Sequence, residues 1–408
     1  AVFNLGANET VGSIAGAGNI TLGSYTLTAG GDNSSTTASG VISGTGALAK
    51  TGTGTLTLSG ANTYNGTTTV SAGTLKAGSI NALNSNSTFT VASGATLDLV
   101  GFNSTILNLS AGTGTITDSS ATGSGAILKI STRLSAAPTN LFTGSLGLNI
   151  VGDNILGNAN STYSGGTIYG ANATASRWMG SGTIGTMSAG NVTRGILGTG
   201  AITFGLAATD KAQFYLSGAT TINNAIVVNT ALGDGSSLGA FRLEPGSLTL
   251  NGAINANLAD VTFQAQNGVG RIATVNGVVS GNSGLVVLTQ GSGVLNVTLN
   301  ATANANTYAG NTTISTANAT LTLGKSDQIS NGVGKGGLII NSGTFAMGGF
   351  SDTINGLSGN GTIDGVSGTP TLTVGDNNAT STFSGVIKNT AGTLALTKTG
   401  TGTLTLSG

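Results

Sequence analysis

The stretch Lys50–Gly78, KTGTGTLTLSGANTYNGTTTVSAGTLKAG, constrains this chain more than any other. Its first eleven residues return unaltered at 398–408, 348 residues later. A cassette that recurs at such distance marks a molecule built by stacking similar units. The offset exceeds the 20–50-residue periods of simple arrays, so it is a higher-order repeat. The second copy stops part-way, which predicts that residues 1–408 are an excerpt of a longer chain.

Other cassettes support the same reading. Gly40-Val41-Ile42-Ser43-Gly44 reappears as Gly277-Val278-Val279-Ser280-Gly281 and as Gly385-Val386-Ile387. Asn62-Thr63-Tyr64-Asn65-Gly66 is matched by Ser161-Thr162-Tyr163-Ser164-Gly165 and by Asn306-Thr307-Tyr308-Ala309-Gly310. A third type, Gly94-Ala95-Thr96-Leu97 through Phe102 and Thr113–Ile116, recurs from Gly343 to Ile363. Within each cassette the pattern alternates: in Thr55-Leu56-Thr57-Leu58 the leucines take one face and the threonines the other, the period of a half-buried strand. Gly and Asn between such runs turn the chain. No segment holds an apolar stripe at helical spacing, and each internal Gly costs a helix about 1 kcal/mol.

Composition removes the alternatives to an ordered all-β chain. Only 3 prolines accompany 70 glycines, too few for a Pro/Gly linker, and there is no Gly-X-Y period. Charged residues are 6% and apolar ones 38%, the reverse of disorder. Aromatics are only 4%, too few for a large globular core but enough for the narrow interior of a solenoid filled by Leu, Ile and Val. The cassettes are unevenly spaced, which argues against equal propeller blades. The fold expected is therefore a parallel β-helix (β-solenoid), an elongated rod running through 1–408 as one continuous segment, with irregular coils at about 120–275. At roughly 22 residues per coil it would have ~18 coils.

Residues 38–78, 276–324 and 383–408 resemble the passenger-associated β-strand repeat of bacterial autotransporters. The likeness rests on Lys50-Thr51-Gly52-Thr53-Gly54-Thr55-Leu56-Thr57-Leu58-Ser59-Gly60-Ala61-Asn62-Thr63-Tyr64 and the Gly66–Val70 and Gly73–Leu75 runs that follow. It is fragmentary at 94–116, 161–168 and 343–363. The resemblance implies a right-handed β-helix, extracellular or on the bacterial cell surface, anchored in the outer membrane or released. It also implies a β-barrel translocator as partner, which this chain does not contain.

The chemistry available is narrow. Without His or Cys there is no Ser-His-Asp triad and no thiol nucleophile. The strings Gly235-Ser236-Ser237-Leu238-Gly239 and Gly180–Gly185 arise by composition in so Gly- and Ser-rich a chain. The 13 acids are dispersed; Asp234 with Glu244 or Asp260 is the pairing most worth checking. No calcium repeat, cofactor motif or metal set is present, and a net charge of zero gives no footprint for nucleic acid. Asn and Thr ladders stacked between coils are expected. Residues 163–271 gather most of the arginines and the single Trp, and Tyr169, Arg177, Trp178 and Arg194 are the candidates for a ligand-binding surface.

These readings converge on a structural, non-enzymatic stalk or fibre for adhesion or display. Its expected partners are copies of itself, side by side or end to end, and host or environmental surfaces. A polysaccharide-degrading or tailspike-like enzyme and a Thr-rich ice- or surface-binding solenoid are the rivals.

Overall fold

The computed structural model describes residues 1–120, 125–132, 139–151, 158–170, 176–184, 186–188, 191–194, 196–230, 239–244, 246–268, 270–301 and 306–408. It is an all-β solenoid whose parallel strands stack in about 14 turns, with no α-helix among the described residues. The fold class read from the alternation is the one observed. The turns are fewer than the ~18 expected from a typical repeat length, and the coils are uneven. Leu27, Leu48, Thr68 and Phe89 follow one another at 20 or 21 residues. Phe214 and Phe241 are 27 apart, Ile222 and Leu250 28. One antiparallel pair departs from the pattern, Thr186–Ser188 with Asn191–Arg194.

The chain divides into two compact units, residues 1–170 with 185–202 and residues 171–184 with 203–408. In the first unit each coil offers strands to two long sheets. One stacks Glu9–Val11, Thr26–Ala29, Ala47–Lys50, Thr68–Val70, Thr88–Val91 and Asn108–Leu109; the other runs from Thr36–Ala38 through Thr55–Leu58 to Leu141–Gly144. The alternation sets the register. Leu56, Leu75, Leu97, Ile116 and Phe142 stand in one inward column and are almost wholly removed from water. Each such side chain contributes about 2 kcal/mol by burial, which a single coil could not obtain without its neighbours. Thr55, Thr74, Thr96 and Thr115 form the matching outward row.

The second unit repeats the recipe with larger side chains. Phe214, Phe241, Phe263, Val287, Ile314 and Ile340 make one inward column. Phe241 and Phe263 are stacked 5.2 Å apart, and Phe204 meets Phe214 edge-on at 4.7 Å. The expected asparagine ladder is present, on half-buried and exposed side chains. Asn251, Asn276 and Asn300 each donate to the Asn one coil before, at 2.6 to 2.9 Å, beginning from Asn223.

The third face of the coils is interrupted in both units. In the first it carries Val2–Asn4, Asn19–Thr21 and Ile42–Ser43, and strands resume only at Ser104–Ile106. In the second, strands Ile226–Val228, Ile254–Ala256 and Val279–Gly281 are followed, among the described residues, by a gap until Asp352–Ile354. Both interruptions begin immediately after a Gly-Val-Ile/Val-Ser-Gly cassette.

Candidate functional site

Side chains of the Asn-Thr-Tyr cassette occupy the interrupted face. A side-chain amide carries one donor and one acceptor group like a peptide unit, so it can continue a ladder where the backbone forms no strand. Asn62 accepts from the Ile42 N–H of the coil before (2.8 Å) and donates to the Ala82 carbonyl of the coil after (2.7 Å). In the second unit Asn306 does the same with the Val279 N–H (2.8 Å) and the Gln328 carbonyl (2.7 Å). Both asparagines are buried. At the middle cassette Ser161 keeps the acceptor role on another face, beyond the last strand of the second long sheet, taking the Phe142 N–H at 3.3 Å.

Two residues on, the tyrosine enters the core. Tyr64, Tyr163 and Tyr308 are fully buried, each hydrogen-bonded to the threonine four residues later: Thr68 at 2.7 Å, Thr167 at 2.5 Å and Thr312. Thr68 passes the chain of bonds to Ser87 of the next coil (2.8 Å). Burial holds the Tyr64 and Tyr308 hydroxyls up to about 12, and Tyr163 is raised by the same cause. None can ionise near neutral pH, so each acts as a fixed hydroxyl.

Lys50, which opens the KTGTG run, is also inside. Its ammonium donates to the carbonyls of Thr51 (2.6 Å), Gly52 (2.9 Å) and, from the next coil, Ala72 (3.3 Å). Burial lowers its pKa. Lys398 folds onto the Thr399 and Gly400 carbonyls in the same way. The glycine after it is obligatory: Gly52 has φ +64°, and a Cβ there would lie 1.8 Å from the Gly30 carbonyl oxygen. At the corners, glycine lets backbones touch between coils, as at Gly60, where a Cβ would meet the Gly40 oxygen at 2.1 Å.

The acids serve the same architecture. Asp118 accepts from the Gly101, Ser120 and Ala126 N–H groups; burial would raise its pKa, but the bonds from the Ala126 and Ser120 N–H groups and the Ser120 and Ser145 hydroxyls outweigh it and lower the pKa. Asp98 caps Val100 and Ser119, and Asp210 caps Leu206 and Ala207. Asp98, Asp118, Asp210, Asp352 and Asp364 are buried, although acids ordinarily stay in solvent. Glu244 holds Arg242 at 2.9 Å and Asp260 accepts from Gly284 N–H, so this candidate pair is engaged separately; Asp234 lies outside the described residues. No group of three or more acids that could hold a metal occurs among the described residues.

The passenger-associated-transport-repeat family matches residues 48–77 and 396–408, the two copies of the KTGTG cassette. Over 222 residues the chain is 31% identical to the adhesin BmaC autotransporter of Brucella suis biovar 1 (strain 1330). The two KTGTG cassettes are thus similar to autotransporter passenger repeats. The alignment takes in 53% of this chain and only 5% of that relative's length. No solved structure matches it.

Of the four candidate ligand residues, the side chains of Tyr169 and Arg194 are among those described. Tyr169 is fully buried in the column of Ile106, Ile130 and Ile150, so a ligand at the surface does not reach it. Arg194 is exposed and donates to Asn160 at 3.3 Å. The strand Ser176–Ile184 places Arg177 opposite Gln213 and Trp178 opposite Phe214, but the side chains of both lie outside the described residues. Tyr163, Phe204 and Phe214 of the same aromatic-rich region fill the core. Sequence reasoning missed the inward roles of Lys50, Asn62 and Asn306. Their signal was available, since a polar residue at a fixed place in a recurring cassette has a partner that recurs with it.

Proposed function

We propose that this stretch of passenger is a non-enzymatic stalk of a bacterial surface adhesin, which carries and displays an adhesive surface. The observation that carries this reading is the use made of the polar side chains. Lys50, Asn62, Asn306 and the buried aspartates bond neighbouring backbone or the next coil, and Tyr64 bonds the Thr68 hydroxyl, rather than converging on a cleft. The adhesin relative supports the role, and the autotransporter family implies a passenger at the cell surface or anchored in the outer membrane. Against an ice-binding role, the Thr55–Thr115 row lacks a second threonine row beside it, because Lys76 and Asp98 stand where Thr57 and Thr117 continue it.

Beads coated with the purified 408-residue chain should adhere to glycan- or matrix-coated surfaces more than albumin-coated beads, and the chain should release no reducing ends from a panel of polysaccharides. Sugar release above the chain-free control, abolished by an Asp→Asn change, would contradict the reading.

A further inference from the structure

The interrupted third face of the first unit leaves a groove. Where strands are missing between Ile42–Ser43 and Ser104–Ile106, a depression of about 290 Å³ is lined by Asn62, Asn81, Asn84 and Asn86 among others. Through Asn81 and Thr105, which line both, it runs into a second of about 300 Å³ bounded by Asn103, Lys129 and Asn149. Most lining residues carry an amide or a hydroxyl, alongside Leu83 in the first depression and Ile80 and Ile127 in the second, and neither is lined by an acid.

Two groups in the second depression lack what their chemistry asks for. Asn149 is 8% exposed, and its Oδ1 is buried without a hydrogen-bond partner. Leaving such an acceptor unmet is unfavourable. Lys129 stands beside it in register, with Thr105 on its other side. The ion pairs of the described residues, Arg242–Glu244 and Lys388–Asp364, do not involve Lys129. Adjacent strands are ~4.8 Å apart, so an unmet acceptor and an unpaired cation lie within one monomer's reach of each other.

We propose that this groove binds a carboxylated sugar unit of an acidic polysaccharide. The carboxylate sits on the Lys129 ammonium, and a ring hydroxyl of the same unit donates to Asn149 Oδ1. The surrounding asparagines and Thr105 meet hydroxyls of the neighbouring units. A uronic acid carries donor and anion on one ring, which is what the close spacing of these two groups demands. A nucleic acid would need several cations along the groove, and Lys129 is alone there. A peptide would need a deep apolar or aromatic anchor pocket, and no aromatic lines either depression. A stalk needs no ligand, so this inference adds to the proposed role and stands or falls independently of it.

The test is calorimetric titration of the purified 408-residue chain with oligomers of galacturonic acid, with galactose oligomers of equal length, and with polyacrylate. Saturable binding of the acidic sugar alone is expected. Lys129→Gln should weaken it about tenfold or more, the loss expected for a charge-assisted bond. Lys129→Arg should retain it, and Asn149→Leu should weaken it severalfold. Arg194→Gln, elsewhere on the surface, should change nothing. Absence of saturable binding, equal binding of the neutral oligomer or of polyacrylate, or a Lys129→Gln variant that folds and binds like the parent would overturn the proposal.

Discussion

Replacing Asn62 by Leu is expected to cost about 4 kcal/mol of stability, far more than a surface substitution. Leu has similar bulk, so the core is not emptied. What is lost is the partner of two groups on different coils, the Ile42 N–H and the Ala82 carbonyl. Each is left buried and unmet at about 1–3 kcal/mol. Asn62→Ser should lose about half as much, because a hydroxyl keeps the acceptor, as Ser161 does for Phe142 N–H. Asn306→Leu is the parallel change in the second unit, where Val279 and Gln328 would be orphaned. Urea midpoints at constant slope measure the effect. An Asn62→Leu variant as stable as the parent would show that the bridge does not hold the coils.

Asp352→Asn should do the opposite and stabilise the chain above neutral pH. Asp352 occupies an inward position on the strand Asp352–Ile354, 1% exposed. One carboxylate oxygen, Oδ2, accepts from the Gln328 and Ile329 N–H groups of the strandless coil, at 2.9 and 3.1 Å; Oδ1 has no partner. Burial is the largest cause that pushes this acid up to about 7; the two N–H bonds oppose it and nearby Asp327 adds to it. The sign follows from linkage. Below about pH 4 the group is neutral folded and unfolded alike, and its protonated form fits the site. As pH rises from there to about 7 the unfolded chain releases the proton while the folded chain keeps it, so stability falls by up to about 4 kcal/mol. Asparagine reproduces the protonated acid, keeping an oxygen for the two N–H groups and an N–H in place of the carboxyl proton. The variant should match the parent near pH 4 and exceed it by about 2–4 kcal/mol at pH 8. Parallel stability curves across that range would contradict the buried, neutral acid.

The sequence made the stacked architecture readable because its cause is local. Thr55-Leu56-Thr57-Leu58 alternates by itself, and inward columns such as Leu56–Leu75–Leu97 follow once similar runs are stacked. The consequence of unequal cassette spacing for coil length was less visible, as the 27- and 28-residue coils at 214–250 show. The interruption of the third face was not legible. Asn62, Lys50 and Asp352 are polar, and polarity argues for the surface unless the partner coil is known. Tyr169 misled for the complementary reason: an aromatic near arginines suggests a binding surface, yet a hydroxyl-tipped ring also fills a core. The Lys129–Asn149 groove belongs to no repeated motif. Lys129 and Asn149 become neighbours only through the pairing of their strands, which the register between coils reveals.

Side chains stand in for the missing strands, and amide hydrogen exchange tests this most directly. The Ile42 and Val279 N–H groups donate to the side chains of Asn62 and Asn306, while the Leu48 and Thr312 N–H groups donate to neighbouring backbone at Thr67 and Gly337. If the cassette holds the strandless coils, all four should exchange at similar, strongly retarded rates. Exchange of Ile42 and Val279 at the rate of an open loop, with Leu48 and Thr312 protected, would contradict it.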